Sequence, residues 1–517
     1  MQVSIIVVAL ETQYKERKGD IINLLILIVV ASVLGVYLIA TTVIITRDGV
    51  YYIQQAQKLS SDPVRVIKEY PPGYQFLIFV AHKFVTLFTD NSSLFSWIYT
   101  AQSVTLLCRV LSLISLYSVG ELLVGARRSF WGLLILIMLP YPAEMGSDAL
   151  REWPHIFFLS TGLLFLIWGS RFGKWWMFGI AGLAAGLGHT IREECAQIVI
   201  YGILWLSFSM FLPRPNIRRL KAVYLMLILL IGFAIPAVPY MKVRGKVLPT
   251  KLRIVISYNS ECQSSGLEQD SFGGAPAVYT ASGIPGDILK ALGKLVQRTS
   301  EHLMYFFVLP LTVGLYCHFR KLRQVLLTER LFIFAIIVLY VLMMVLLYIH
   351  CSYMSRRHCM PIVVFTVFYI PIGLQILARW LSKRTSKNAL ALRKNRQCWF
   401  FILVAVGFSI CTAKFYRITP PGWQKQGYID AAKWLRENTS EKDLIALRGL
   451  RIGFYAQRSS RRIYGRNIPG NAKYVVEFLN GKLAGDSIAF NKDVRMRYSV
   501  WVNKKEMKKR IFIYEVL

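Results

Sequence analysis

Apolar runs close to the roughly 20 residues needed to cross a bilayer follow one another along most of the chain, with short polar stretches between them. They predict membrane helices at about 21–46, 96–119, 130–145, 153–170, 175–190, 195–212, 222–242, 303–319, 330–350, 360–380 and 398–415, about eleven in all. The run Phe76 to Phe88 contains His82 and Lys83 and follows the Pro71-Pro72 turn, so it reads as a helix lying in the membrane interface. Ile288, Leu289, Leu292, Leu295 and Val296 share one helical face and predict a second interfacial helix, at the end of a Gly-, Ser- and Pro-rich stretch over 244–300. From about Pro420 the pattern becomes that of a small soluble domain. Ile429, Ala432, Trp434 and Leu435 mark one buried face of a helix over 428–437, followed by a strand at 443–447, a short helix at 451–456 and a strand at 462–464. The expected architecture is an α-helical polytopic membrane protein, residues 1–419, with a small C-terminal α/β domain over 420–517.

Charge orients this architecture. The formal net charge is +34, from 62 Lys and Arg against 28 Asp and Glu. Such an excess can mark a nucleic-acid binder. Here it falls between apolar runs, which removes nucleic acid as the expected partner and leaves the membrane. Arg127 and Arg128, Arg171 and Lys174, Arg214 with Arg218 and Arg219, Arg320 to Arg323, and Lys383 to Arg396 occupy alternate loops. The positive-inside rule puts these loops in the cytoplasm. The loops 47–95 and 244–300 and the C-terminal domain then lie outside, and counting Phe76 to Phe88 as a span would reverse every later loop. The segment Glu11 to Asp20 is mixed in charge and does not read as part of a cleavable signal. The eight cysteines show no CxxC pair, and no GxGxxG turn is present.

Polar residues at membrane depth are costly and mark functional hypotheses. Asp48 sits where the first span ends, followed by Tyr51, Tyr52 and Ala56, then Glu69 and Tyr70-Pro71-Pro72-Gly73-Tyr74. Gly182 to Gly186 leads to His189-Thr190-Ile191-Arg192-Glu193-Glu194, and Arg357-His358-Cys359-Met360-Pro361 heads a late span. Another external loop carries Glu144, Asp148, Arg151 and Glu152. Each has a plainer reading: Asp48 as a helix cap or a partner of Arg47, Arg192 as half of an Arg-Glu surface pair, the acidic loop as solvated. His350-Cys351 and His358-Cys359 suit zinc by ligand type but match no common zinc spacing, and Cys351 and Cys359 are also a potential disulfide pair.

The order and common external placement of these elements resemble the GT-C membrane glycosyltransferases. The likeness is closest to the branch of bacterial aminoarabinose and protein-mannosyl transferases that use polyprenyl-phosphate sugars. A helix like Ala431 to Asn438, then a strand and Arg451-Ile452-Gly453-Phe454-Tyr455, is similar to the terminal external domains of these enzymes. The resemblance implies transfer of a sugar from a polyprenyl phosphate to a hydroxyl of a lipid, glycan or protein acceptor. The reaction would be an inverting displacement on the external face of the plasma membrane. It implies Asp48 as the base and Asp148 as a second carboxylate, with Glu144 and Glu152 as alternatives; some members use that carboxylate to orient the acceptor or bind a divalent cation. Tyr52, Glu69, Tyr70, Tyr74, Arg192, Glu194 and Arg357 are the implied substrate contacts, Arg192 and Arg357 holding the lipid phosphate and Arg356 able to substitute for Arg357. His358 stands where the family usually has tyrosine. A transporter or flippase of lipid-linked sugars would need the same arginines and is the alternative.

Overall fold

The computed structural model describes residues 2–89, 93–210, 219–245, 284–320, 327–351, 354–385, 389–417, 421–463, 468–480, 494–503 and 505–517. The chain is mostly helical. α1 (Gln2–Thr41) leads into α2 (Arg47–Lys58), α3 (Pro63–Glu69) and α4 (Gly73–Thr86), which make up the segment between α1 and the next long helix. α5 (Leu94–Val124), α6 (Ala126–Met138), α7 (Pro140–Met145) and α8 (Glu152–Phe172) follow, then α9 (Trp175–His189), α10 (Gln197–Met210) and α11 (Arg219–Arg244). After residues outside the described set come α12 (Ile284–His302), α13 (Val308–Arg320), α14 (Leu327–Cys351), α15 (Arg356–Thr366), α16 (Ile370–Thr385) and α17 (Ala389–Arg417).

Six helices among the described residues are long and apolar enough to cross a membrane, including Gly19–Thr41, Leu94–Val124 and Arg219–Arg244. Four other expected spans are shorter, α6, α9, α10 and α13 running only 13 to 15 residues, and in α14 the described apolar stretch is Phe334–Ile349. Membrane-facing side chains stay exposed on the outside of the bundle, Val29, Val33, Val36 and Tyr37 on α1 among them. The buried core instead joins α5, α6, α8 and α15 through Leu116, Leu136, Trp153 and Val363. Small residues set the α9–α11 contact. A Cβ on Gly182 would lie 2.2 Å from the Leu229 carbonyl oxygen and one on Gly186 2.5 Å from that of Phe233, so only glycine allows this approach.

The expected span at 130–145 is broken at Leu139, because Pro140 and Pro142 cannot donate backbone N–H bonds. Side chains brace the break: Arg109 Nη2 donates to the Ile137 carbonyl at 3.1 Å, and Trp153 Nε1 donates at 2.9 Å to the Pro142 carbonyl, which also accepts from the Gly146 N–H at 3.1 Å. The short α7 and the turn after it are thereby fixed at the end of the bundle. The expected interfacial helix at 76–88 is α4, which buries Tyr74 and Ile78 while Phe76, Val80, Phe84 and Leu87 stay exposed. The second helix expected to lie in the interface is α12; most of the stretch before it, 246–283, lies outside the described residues.

The C-terminal domain packs α18 (Gln426–Asn438) and α19 (Leu450–Ala456) on a five-stranded sheet. Its strands are β1 (Ile445–Leu447), β2 (Ser460–Arg462), β3 (Tyr474–Asn480), β4 (Val494–Trp501) and β5 (Lys509–Val516), in the order β2-β1-β3-β5-β4. β1 is parallel to both β2 and β3, while β5 runs antiparallel to β3 and β4. The strand expected at 462–464 begins two residues earlier, and β3, β4 and β5 were not foreseen.

Candidate active site

The α1–α2 junction organises the site. Thr46 is the N-cap of α2: its side chain accepts from the Gly49 N–H at 3.3 Å. This sets Asp48 in the first turn, where the helix dipole favours a negative charge. From the opposite side the Thr46 N–H donates to both oxygens of Asp148, each at 3.2 Å, and the Ala149 N–H donates to Asp148 at 2.7 Å. Burial pushes the Asp148 carboxyl above its ordinary value, and these backbone donors pull it back. The two carboxylates therefore differ in surroundings. Asp48 keeps 47% of its side chain exposed, enough for a substrate to reach, while Asp148 is committed to backbone donors.

The turn carrying Asp148 is pinned by α5: Gln102 Nε2 donates to Ser147 at 2.9 Å and the Thr105 hydroxyl to Leu150 at 3.1 Å. Gly49 lies against this turn, and a Cβ there would stand 2.9 Å from the Ala149 Cβ and 3.0 Å from its carbonyl oxygen. Gly49→Ala is expected to push the first turn of α2 aside and cut turnover by about 10²-fold, the usual effect of an ångström of misplacement. Normal turnover in that variant would show that this contact does not position Asp48.

Arg357, in the first turn of α15, forms an ion pair with Asp48 across 309 positions of sequence. Arg192 lies behind it, 6% exposed, with Nη1 3.7 Å from Glu152 and Nη2 3.3 Å from Glu194. Glu152 also acts electrostatically on Arg357, so a line of alternating charges runs Arg192–Glu152–Arg357–Asp48. The hairpin carrying Arg192 meets the Pro-Pro-Gly turn directly: the Gly73 N–H donates to the Thr190 carbonyl at 2.7 Å.

Aromatic residues form one wall. Tyr52 packs edge-on against Tyr74 at 5.3 Å and tilted against Tyr70 at 6.0 Å. The Arg151 guanidinium lies 4.6 Å from the Tyr70 ring and 5.9 Å from that of Tyr52, and it donates to the Ile191 carbonyl at 3.3 Å. Arg151 has the position of a site residue, although sequence reasoning gave it no role; its place just before a span beside Glu152 was the only signal. Glu69 lies at the rim, accepting from Gln55 at 3.0 Å and Arg65 at 2.9 Å. The expected contact of Tyr74 with substrate is corrected. Its ring is wholly buried and its hydroxyl is engaged by Thr105 at 2.7 Å and Ala101 at 3.1 Å, so it is a packing residue.

The C-terminal domain braces the same junction. The Ile45 N–H donates to the Tyr455 hydroxyl at 3.0 Å, the Val43 N–H to the Pro421 carbonyl at 2.9 Å, and Phe454 joins the apolar cluster of Val50, Ile53 and Ala149. The Arg451-to-Tyr455 element thus supports the segment that carries Asp48.

No group of three or more metal-ligating side chains converges among the described residues. Asp48 faces a guanidinium and Asp148 faces backbone N–H groups, which does not make a metal shell. Cys359 is a buried free thiol, and the side chains of His350 and Cys351 lie outside the described residues.

Residues 71–239 match the family of dolichyl-phosphate-mannose-protein mannosyltransferases. No curated protein sequence matches the chain. Among solved structures, the oligosaccharyltransferase AglB from Archaeoglobus fulgidus, in complex with an inhibitory peptide and a dolichol-phosphate, aligns with TM-score 0.59 and 14% identity over 89% of this chain and 69% of that one. ArnT from Cupriavidus metallidurans, bound to undecaprenyl phosphate, aligns with TM-score 0.56 and 12% identity over 95% of this chain and 97% of that one.

Proposed function

We propose that this multi-pass membrane protein, which has the GT-C glycosyltransferase fold, transfers a sugar from a polyprenyl-phosphate donor to an acceptor hydroxyl on the external face. The observation that carries this reading is the accessible Asp48–Arg357 pair, held between the Asp148 turn and the C-terminal domain. A base for the acceptor and a cation for the leaving phosphate stand side by side there. The matched family and the lipid phosphates bound to AglB and ArnT support a lipid-phosphate donor.

In this mechanism the donor phosphate draws Arg357 from Asp48, offering the guanidinium fork two oxygens. The freed carboxylate takes the proton of the acceptor hydroxyl as its oxygen attacks the anomeric carbon. The bond from that carbon to the phosphate oxygen breaks, its electron pair leaves on the phosphate, and configuration inverts. Asp148 holds the α2 cap and so positions Asp48. Glu152 with Arg192 and Glu194 keeps Arg357 in place, and Tyr70 and Glu69 line the approach, with the buried Tyr52 packed behind Tyr70.

The test needs no known acceptor, because water can replace it. Purified protein given a panel of polyprenyl-phosphate sugars should release free sugar from at least one. Release from none, together with movement of intact lipid across a bilayer, would establish a flippase instead. External placement follows from the basic loops, and reporters fused at Ser386 and Leu517 should report opposite sides of the membrane. Reporters on the same side would separate the C-terminal domain from the face assigned to Asp48.

A further inference from the structure

The first turn of α15 carries two arginines with different partners. Arg357 meets Asp48, whereas Arg356 lies over the ring of Tyr141, its guanidinium carbon 4.5 Å from the centroid. Lys414, at the outer end of α17, reaches the same ring at 4.2 Å and donates to the Tyr141 hydroxyl at 2.8 Å. Arg298 on α12 completes the set. Between these side chains is an open cavity of about 350 Å³, lined also by Glu301, Met304 and Tyr305.

Charge and geometry both point to an anion. Three cations from three helices face one carboxylate within the cavity wall, so two positive charges are in excess. Glu301 accepts from Arg298 Nη1 at 3.2 and 2.9 Å and lies 3.6 Å from Arg356 Nε. Glu144 on α7 is the other carboxylate that acts on Lys414 and Arg356. Burial pushes it up to about 7, so it holds a proton for part of the time at neutral pH. A phosphate monoester carries about −1.5 to −2 at pH 7, which matches the excess, and its oxygens suit guanidinium forks and an ammonium arriving from different directions.

The cavity is also a built structure. His302 is fully buried, its ring packs edge-on against Tyr141 at 5.7 Å, and its Nε2–H donates to the Arg356 backbone carbonyl at 2.7 Å. Met304 and Tyr305 both adopt left-handed backbone, with φ of 54° and 59°. Two successive non-glycine residues in that region persist only where their surroundings enforce it.

We propose that this cavity is an acceptor subsite that holds a phosphate monoester carried by the acceptor. The proposal rests on the glycosyltransferase reading above and names the class of its second substrate. It assigns the two arginines to different partners, Arg357 to the departing donor phosphate and Arg356 to the acceptor. Glu144 acts electrostatically on both Asp148 and the cavity cations, which puts the subsite beside the turn that positions Asp48.

The test is direct binding to the purified full-length protein, with inorganic phosphate and polyprenyl monophosphate as separate probes. Arg356→Gln and Lys414→Gln should each weaken phosphate binding about tenfold or more, the worth of one charge-assisted hydrogen bond. Lys414→Arg should stay within about threefold of wild type, since the charge remains. Polyprenyl monophosphate affinity should be unchanged in all three. Absence of phosphate binding by the wild type, unchanged binding by the Gln variants, or equal loss in Lys414→Arg and Lys414→Gln overturns the subsite. An equal loss of polyprenyl monophosphate makes the cavity the donor's site and overturns the acceptor assignment. Both probes read binding, so a failure to release sugar would count against the catalytic reading alone.

Discussion

Asp48→Asn is expected to lower sugar release by about 10²–10⁴-fold, the range associated with a positioned acid or base, while the protein still folds and still binds donor. The carboxamide keeps the shape of the side chain and removes the proton acceptor. The ion pair lost with Arg357 is partly exposed, 47% on the Asp48 side, so its loss has little effect on stability. Without its partner, Arg357 is also freer to meet the donor phosphate. The expected pattern is therefore a fall in kcat with donor KM unchanged or lower, as when an interaction confined to the transition state is removed. Asp48→Glu should recover little, because an added methylene moves the base off a turn fixed by the Thr46 cap and the Asp148 contacts. A normal rate in Asp48→Asn would show that Asp48 is not the base and would direct attention to Asp148 and Glu144.

The parts of this arrangement that were legible in the sequence are those encoded locally. Apolar length and the alternation of basic loops mark most helices, and Pro71-Pro72-Gly73 marks the turn that meets Thr190. The pairing of Asp48 with Arg357 joins residues 309 positions apart. A single sequence contains both side chains and gives no measure of their contact. The same holds for Tyr141, Arg298 and Lys414, each of which looks like an ordinary residue at the end of a helix. Arg192 was read by residue type as a phosphate ligand, but its burial between two carboxylates comes from the way α8 packs beside the hairpin. In the C-terminal domain, β4 and β5 carry Arg495, Arg497, Lys509 and Arg510 among their apolar residues. That mixture weakens the alternation by which strands are recognised, whereas the compact apolar run Ile445 to Leu447 was readable.

Arg192→Ala is expected to act on the fold more than on the reaction. With Arg192 only 6% exposed and its nitrogens 3.7 and 3.3 Å from Glu152 and Glu194, the substitution leaves two carboxylates facing a buried gap. Removing one partner of a buried ion pair costs about 3–5 kcal/mol, a large share of the stability of a folded domain. The variant should therefore melt well below wild type in detergent. Arg192→Lys should recover part of the loss, since one ammonium cannot serve both carboxylates as a guanidinium fork does. Adding Glu152→Gln to Arg192→Ala should also recover part of it by removing a buried carboxylate that has lost one of its cations, a coupling that a double-mutant cycle measures. Donor affinity in the folded fraction should fall only modestly, because Arg357 is the arginine that faces the opening. If Arg192→Ala melts like wild type and loses donor binding, Arg192 is itself the phosphate ligand. The Glu152 and Glu194 contacts would then describe a resting arrangement that the donor displaces.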